Sequence, residues 1–190
     1  MNETLFEDQT FNKIDYSKKG IAKGKYDNCS FVNCDFSGST FPHIKFIECK
    51  FVDCDFSMAK MNNTALREVI FSGCKLLGLN FNHCNPFLLA VNFENCQLQL
   101  ASFYELKLTN TNFKNCMLSE VDFTNTDLSD SSFEDCDLSR AIFENTILTK
   151  VDFRTAFNYS IDPEINRIRK AKFSSMGLSG LLDKYEIEIE

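Results

Sequence analysis

One periodicity constrains this chain more than any other feature: from Leu118 to Phe153 every fifth residue is Leu or Phe, in alternation. An amphipathic helix requires apolar residues about every 3.6 positions and a half-buried strand requires them every second position, so neither element explains the pattern. Two residues before each large residue stands a small one, such as Val121 or Cys136. Each unit of five therefore supplies one large and one small inward side chain, and three outward positions.

A chain can bury two side chains in every five if it bends once per unit. Four bends return it to its starting direction, which predicts a square coil of about twenty residues, stacked as in other solenoids. With coils roughly 4.8 Å apart, about seven coils make a rod of roughly 30–35 Å. The period runs from Tyr26 to Phe81, slips by two residues within 82–88 and resumes at Leu88, with weaker matches before Tyr26.

The nine cysteines raise the question of a disulfide framework or a metal site. Eight of them fall in the small inward column, and Cys84 joins them if the first phase continues to Pro86. We therefore interpret them as small apolar core residues, with disulfides or zinc as the alternative. The predicted stacks are Cys34–Cys54–Cys74 and Cys96–Cys116–Cys136.

The units "VDFTN", "TDLSD", "CDLSR" and "VDFRT" resemble the A(D/N)LXX unit of the pentapeptide-repeat family. The resemblance covers about Tyr26 to Ala156. It implies an all-β solenoid, a right-handed quadrilateral β-helix of pentapeptide repeats, whose handedness the period alone does not determine. We divide the chain into an irregular N-terminal coil or cap (1–25), the β-helix (26–157, with the phase slip at 82–88) and a C-terminal helical cap and dimerisation segment (158–190).

The register fails after Phe157, where local helix signals begin. Asp162 is a candidate N-cap, Pro163 follows at the first helical position and basic residues come later, so we predict a helix up to Phe173. A second helix over 174–185 and a short alternating strand over 185–190 complete this segment. Because an open coil exposes unpaired backbone groups, we expect the segment to cap the rod.

Composition argues against several functional classes. The chain has neither eighteen consecutive apolar residues nor a secretion signal, so we expect a cytoplasmic protein without a membrane segment. With a net charge of −7, the chain lacks the excess of basic residues that is typical of nucleic-acid-binding proteins. Its two histidines, His43 and His83, lie 40 residues apart, and the sequence contains no nucleotide-binding, metalloprotease or serine-hydrolase motif. We therefore expect no enzymatic activity, no metal and no cofactor.

Acidic residues concentrate in 91–161, which holds eleven acids and five bases. Stacking at twenty residues predicts ion pairs worth roughly 0.2–1 kcal/mol each: Glu120–Arg140, Asp130–Lys150, Lys107–Asp127 and the alternating column Glu94–Lys114–Glu134–Arg154. The acids left without such a partner are Asp122, Asp135, Asp137, Glu144 and Asp152. Uncompensated carboxylates on a rod could mimic the phosphates of a duplex, or they could only keep an exposed sheet surface soluble.

The chain also resembles the Qnr and MfpA type of pentapeptide-repeat protein, acidic dimeric rods that bind DNA gyrase and topoisomerase IV and protect them from quinolones. The resemblance implies a homodimer joined through its C-terminal segments and a type II topoisomerase as partner, without direct nucleic-acid binding. The candidate contacts are Asp122, Asp135, Asp137 and Asp152, with His83, Pro86 and Phe87 as a loop contact. The alternative is a general protein–protein scaffold without topoisomerase activity.

Overall fold

The backbone winds as a parallel β-solenoid with four faces, as the period of five predicts. The computed structural model describes residues 4–41 and 43–188. Its strands are β1 (Leu5–Glu7), β2 (Thr10–Asn12), β3 (Lys25–Asp27), β4 (Ser30–Val32), β5 (Lys45–Ile47), β6 (Lys50–Val52), β7 (Ala65–Arg67), β8 (Val69–Ser72), β9 (Val91–Glu94), β10 (Asn112–Lys114) and β11 (Ser132–Glu134). The helical elements are α1 (Tyr16–Lys19) and three 3₁₀ helices, Phe81–His83, Ser175–Leu181 and Asp183–Tyr185.

Parallel pairing joins each coil to the next. The first face carries the sheet β1-β3-β5-β7, and the second face carries β2-β4-β6-β8-β9-β10-β11. Single bridges hold the other two faces, such as Asp35 with Asp55 on the third face and Ser102 with Asp122 on the fourth. Eight steps separate Phe11 from Phe173 on the second face. At about 4.8 Å per step the rod is roughly 38 Å long.

Most corners between faces are made by left-handed residues two positions after a large inward residue. Asn115 has a φ of 49° and Asp135 a φ of 51°. Asn, Asp and Gly adopt this conformation more readily than other residues, which explains their recurrence at this position. The corner N–H groups point along the rod, and that of Asn115 donates to the carbonyl of Glu134 on the next coil at 2.7 Å.

Stacks of like side chains fill the interior. The rings of Phe113 and Phe133 have centroids 4.8 Å apart, and those of Phe133 and Phe153 are 5.1 Å apart. On the opposite face Phe123 stacks on Phe143 at 5.2 Å. The two stacks meet edge to face, with the centroids of Phe113 and Phe123 separated by 5.9 Å. A coil of twenty residues predicts these stacks, because the stacked rings stand twenty positions apart in the sequence.

Six of the nine cysteines form one longer stack than predicted: Cys34, Cys54, Cys74, Cys96, Cys116 and Cys136. All nine are buried and free. Because Phe71 pairs with Phe93, Cys74 and Cys96 lie on successive coils and the two stacks of three join into one. The thiol of Cys96 donates to the carbonyl of Phe71 at 3.4 Å. Burial raises the pKa of Cys84 to about 12. The cysteines are therefore core residues.

The two-residue slip is absorbed on the first face, where the sheet ends at β7 while the second-face sheet continues from β8 to β9. The prediction that Leu88 faces inward was wrong: Leu88 is exposed, with a φ of 58°. Leu89 packs against the core instead. The extra residues bulge outward here because Leu66 still accepts a hydrogen bond from Ala90 on the next coil.

The helix predicted up to Phe173 was wrong, because the solenoid continues. Ile168 and Phe173 keep the phase of Phe153, and the ring of Phe173 stacks on that of Phe153 at 5.3 Å. The side chain of Asn166 is buried, accepts from the N–H of Thr146 and donates to the carbonyl of Phe143. The inward side chains of this segment thus form hydrogen bonds and ring contacts with the preceding coil. These contacts require the coiled backbone and would be lost in a helix.

Beyond the last coil, 3₁₀ helices Ser175–Leu181 and Asp183–Tyr185 replace the predicted second helix. No strand is present over 186–188, and residues 189–190 of the predicted strand lie outside the described residues. At the other end, residues 4–25 were expected to be irregular, but β1 and β2 pair with β3 and β4. The division into three regions stays a prediction, with coiling that extends beyond 26–157 at both ends.

We expect Phe113→Ala to lower the free energy of unfolding by about 3–5 kcal/mol, because it leaves a cavity between two stacked rings. Phe157→Ala is the matched control, since Phe157 is exposed, and should cost less than about 1 kcal/mol. Urea unfolding followed by circular dichroism measures both. Equal losses in the two variants would contradict the stacked core.

Candidate interaction surface

The position of an aspartate within its unit determines what its carboxylate does. Asp122, Asp137 and Asp152 occupy the outward position just before the large residue. The carboxylate of Asp122 accepts the backbone N–H of Thr124 at 2.9 Å, and Asp137 accepts that of Ser139 at 3.1 Å. Three of the four predicted acidic contact residues therefore stabilise a corner of the coil, whatever else they bind.

Asp152 is paired, contrary to the sequence interpretation. Its carboxylate lies 2.7 Å from the guanidinium of Arg154 and 3.8 Å from the ammonium of Lys172. The Arg154 guanidinium holds the pKa of Asp152 below its usual value. Lys172 stands twenty residues after Asp152 and was overlooked because its segment was assigned to a helix.

Asp137 is surrounded by neutral donors. Besides the Ser139 N–H, its carboxylate accepts the Ser139 hydroxyl at 2.6 Å and the amide of Asn158 at 2.9 Å. Partial burial raises the pKa of Asp137, but these hydrogen bonds outweigh it and leave the pKa below its usual value. Asp137 is thus a charged residue with a structural role in the coil.

Of the five acids that the sequence left without a partner, Asp135 and Glu144 are the two without such a role. Both are exposed and both lie on the coil that contains Phe133 and Phe143. Asp135 occupies a left-handed corner, where its backbone N–H donates to the hydroxyl of Thr155 at 2.9 Å. Neither carboxylate makes an ion pair with any residue in 4–41 or 43–188. Their charge is therefore available to a partner.

Several predicted ion pairs are present. Three of them join residues twenty positions apart: Lys114–Glu134 at 3.5 Å, Asp130–Lys150 at 3.1 Å and Glu120–Arg140. Arg154 leaves the predicted column with Glu134 and pairs with Asp152 inside its own unit. All of these pairs are exposed, so each adds only a few tenths of a kcal/mol to about 1 kcal/mol of stability.

The sequence interpretation missed an aspartate ladder on the third face. Asp15, Asp35 and Asp55 pair as bridges on consecutive coils. Their carboxylates accept the N–H of the serine two residues later, as in Asp35 with Ser37 at 2.9 Å. The sequence does contain a signal for this ladder, because the triplet Asp-x-Ser recurs every twenty residues at Asp15, Asp35 and Asp55. Lys18 pairs with Asp15 at 2.7 Å and Lys75 with Asp55 at 3.8 Å, so the ladder mainly stabilises corners of the coil.

The phase slip forms an exposed loop. Pro86 and Phe87 are exposed, and so is His83 at the end of its 3₁₀ helix. The ring of Phe87 is 64 % exposed and lies 5.2 Å from the guanidinium carbon of Arg67. The loop thus presents an aromatic side chain of the type that anchors protein–protein interfaces.

The C-terminal end carries an open cavity of about 550 Å³. It lies between the last coil and the 3₁₀ helix Ser175–Leu181, and Met176 on its rim is 93 % exposed. Further exposed apolar residues of this end are Phe157, Ile165, Leu178, Tyr185 and Ile187. An apolar end of this kind is typical of an interaction surface.

The described residues contain no group of His, Cys, Asp or Glu side chains arranged to hold a metal ion. None of the helices in 4–41 and 43–188 has the length and apolar content needed to cross a bilayer.

Comparison with known proteins settles the family. The family model described as the pentapeptide repeat region matches residues 25–86 and 87–157. The chain belongs to this family. A search of the curated proteins finds no match.

The chain is also similar to solved structures of other proteins. QnrB1 (R167E, trypsin-treated), described as a plasmid-mediated fluoroquinolone resistance protein, is 20 % identical, with 99 % of this chain and 98 % of that chain covered and a TM-score of 0.48. HetL from the cyanobacterium Nostoc sp. strain PCC 7120, described as involved in heterocyst differentiation regulation, is 17 % identical over 90 % and 87 % of the two chains, with a TM-score of 0.41. A pentapeptide repeat protein from the Arabidopsis thaliana thylakoid lumen is 20 % identical over 62 % and 87 %, also with a TM-score of 0.41.

We expect Asp137→Ala to lower the free energy of unfolding by about 1 kcal/mol at neutral pH, because the Ser139 and Asn158 donors lose their acceptor. The folded-state pKa of Asp137 is depressed, so its contribution is present above the unfolded-state pKa and is lost as pH falls through the folded-state value. The difference from the wild type should therefore shrink below about pH 3.8. Urea unfolding at neutral and acid pH measures this.

Asp137→Asn is the matched control. It keeps an acceptor oxygen without the titrating charge, so it should retain most of the stability and lose the pH dependence. An Asp137→Ala variant as stable as the wild type at neutral pH would contradict the structural role.

Proposed function

We propose that this protein is a non-enzymatic acidic rod that binds a type II topoisomerase, DNA gyrase, by presenting carboxylates where the enzyme receives DNA phosphates, and so confers quinolone protection. The observation that carries the proposal is the net charge of the coils in 91–161, eleven acids against five bases. A regular rod holds such charges at fixed distances, and a surface of one sign attracts a basic DNA-binding groove over several ångströms.

The acids that best fit a contact role are Asp135 and Glu144. They are exposed on one coil, Asp135 at the corner after the second face and Glu144 on the fourth face, and neither makes an ion pair within the described ranges. Asp137 lies on the third face and Asp122 on the fourth face, and the carboxylates of both stabilise corners. Asp152 is the weakest candidate, since Arg154 and Lys172 neutralise it. The loop at His83, Pro86 and Phe87 would add an aromatic anchor.

The length of the rod also supports the proposal. Two rods of roughly 38 Å joined end to end would span about 75 Å, close to twenty base pairs at about 3.4 Å each. The enzyme as partner comes from the resemblance of the sequence to the Qnr and MfpA type.

The second candidate is a general protein–protein scaffold without topoisomerase activity. It is favoured by the corner-stabilising hydrogen bonds of Asp122, Asp137 and Asp152. Acids that the coil itself requires do not need a DNA-like partner to explain them. Asp135 and Glu144 are the residues that discriminate between the two functions.

In a supercoiling assay we expect micromolar protein to inhibit gyrase and to relieve its inhibition by ciprofloxacin. Asp135→Lys and Glu144→Lys should each raise the concentration for half-inhibition about threefold or more near 0.1 M salt, with the difference shrinking as salt rises. Asp53→Lys is the matched control, because Asp53 is an exposed corner acid with a φ of 52°.

Two results would count against the proposal. No effect of the wild-type protein on gyrase would exclude the topoisomerase function and leave the scaffold. Inhibition that is equally strong in the Asp135→Lys and Glu144→Lys variants would exclude the acidic surface as the contact, even with gyrase as the partner.

We also propose that two chains join through their C-terminal ends, where Met176 and the neighbouring apolar side chains are exposed. Met176→Glu should shift the protein from dimer to monomer in sedimentation velocity, because it places a charge in an apolar contact. Leu5→Glu, at the other end of the rod, should leave the dimer intact. A wild-type monomer at high micromolar concentration would contradict this proposal.

A further inference from the structure

Exposed apolar side chains recur along the corner between the third and fourth faces. Met58 and Leu100 occupy the same corner position two coils apart, with Gly78 between them. The N–H of Met58 donates to the carbonyl of Leu77 at 3.0 Å, and that of Gly78 donates to Gln99 at 2.9 Å, which fixes the register. The sulfur of Met58 covers Gly78, where a Cβ would lie only 2.9 Å from it.

Leu77 and Met117 widen this row on the third face. The amide of Gln99 lies 3.6 Å from the sulfur of Met117 and connects the two coils. Met58 is 65 % exposed, Leu77 40 %, Leu100 57 % and Met117 49 %. We call these four residues the apolar ridge. Contiguous exposed apolar surface of this kind is uncommon on a protein without a partner there.

The two corner residues of the ridge, Met58 and Leu100, have left-handed backbone conformations. Met58 has a φ of 58° and Leu100 a φ of 61°. A bulky residue is disfavoured in the left-handed region, where Asn or Gly fits better. Because both side chains are exposed, the core gains nothing in return. Other left-handed corners of this chain carry long polar side chains, such as Glu120 and Arg140, so what distinguishes Met58 and Leu100 is an exposed apolar side chain at a position that is mostly polar.

We propose that the apolar ridge docks the apolar face of a basic amphipathic helix from a partner protein. The ridge spans three steps of about 4.8 Å, the length of roughly two and a half helical turns of 5.4 Å. A helix laid along the corner would therefore place one apolar side chain per turn against nearly every coil. This mode of recognition is common for exposed apolar grooves and ridges.

Charge around the ridge favours a basic occupant. Two nearby pairs, Asp55 with Lys75 and Glu120 with Arg140, satisfy each other. On the fourth face, the half-buried Asp122 bridges to Ser102, two residues after Leu100, and the exposed Glu105 occupies the far corner of the coil that contains Leu100; neither acid makes an ion pair within the described ranges.

Lys60 lies at the opposite end of the ridge, so the basic residues of the helix should lie over Leu100. A second copy of this acidic chain would bring like charges together there and is disfavoured. The proposal does not rest on topoisomerase binding.

The test uses a fluorescent synthetic helix of roughly 15 residues, about four turns, with Leu along one face and Lys elsewhere, and a scrambled peptide of the same composition. Fluorescence anisotropy should show saturable binding of the helix to the wild type. The double variant Met58→Asn with Leu100→Asn should weaken binding about tenfold or more, because two apolar contacts are lost. Asn suits the left-handed corner, so thermal melting should show unchanged or higher stability.

Leu88→Asn is the matched control, since Leu88 is also exposed and left-handed but lies on the first face; its binding should equal that of the wild type. The proposal is overturned by equal binding of the double variant, by equal binding of the scrambled peptide, or by no saturable binding up to about 1 mM, a free energy near −4 kcal/mol. A shift from dimer to monomer in the double variant would make the ridge a self-contact and overturn it as well.

Discussion

Everything in this molecule depends on the hydrogen bonds that each coil makes to the next at a fixed register. The N–H of Leu118 donates to the carbonyl of Asp137 at 2.8 Å, and the N–H of Asp137 donates back to Cys116 at 3.1 Å. Because the register repeats, each side chain lies over its counterpart one coil away. Flat rings and small thiols tolerate such stacking without voids, which explains an interior built from Phe, Leu and Cys. The same register brings surface charges of opposite sign together.

This dependence explains why so much of the fold was predictable from sequence. A period of five over many units fixes which residues face inward, and a twenty-residue coil then fixes which residues stack. The prediction failed after Phe157 because two successive units lack a large central residue: Asn158 and Pro163 stand there. The residues around Asp162 and Pro163 therefore favoured the prediction of a helix. In the structure Asp162 caps only a turn, by accepting the N–H of Glu164 at 2.8 Å. Ile168 and Phe173 carried the correct signal, at the original phase.

The candidate surface was less predictable, because counting charges twenty residues apart ignores bonds within one unit. Arg154 turns back to Asp152, and the aspartates before each large residue accept a backbone N–H that no charge count reveals. Once these roles are assigned, Asp135 and Glu144 remain as charges that the coil does not use. Position within the unit is therefore a better guide to function than acidity. Position within the unit also identifies Met58 and Leu100, because they are exposed apolar residues at corners where most units carry a polar residue or Gly.

The insertion at 82–88 shows how this architecture separates stability from function. Two extra residues interrupt pairing on the first face, yet β8 still pairs with β9 on the second and the thiol stack continues from Cys74 to Cys96. The disturbance stays local because each coil contacts only its neighbours. A solenoid can therefore acquire an exposed Phe87, an unpaired Asp135 or an apolar ridge without repacking its core. Each addition costs the strain or exposure of a few residues, so distinct partners can be accommodated on different faces of one rod.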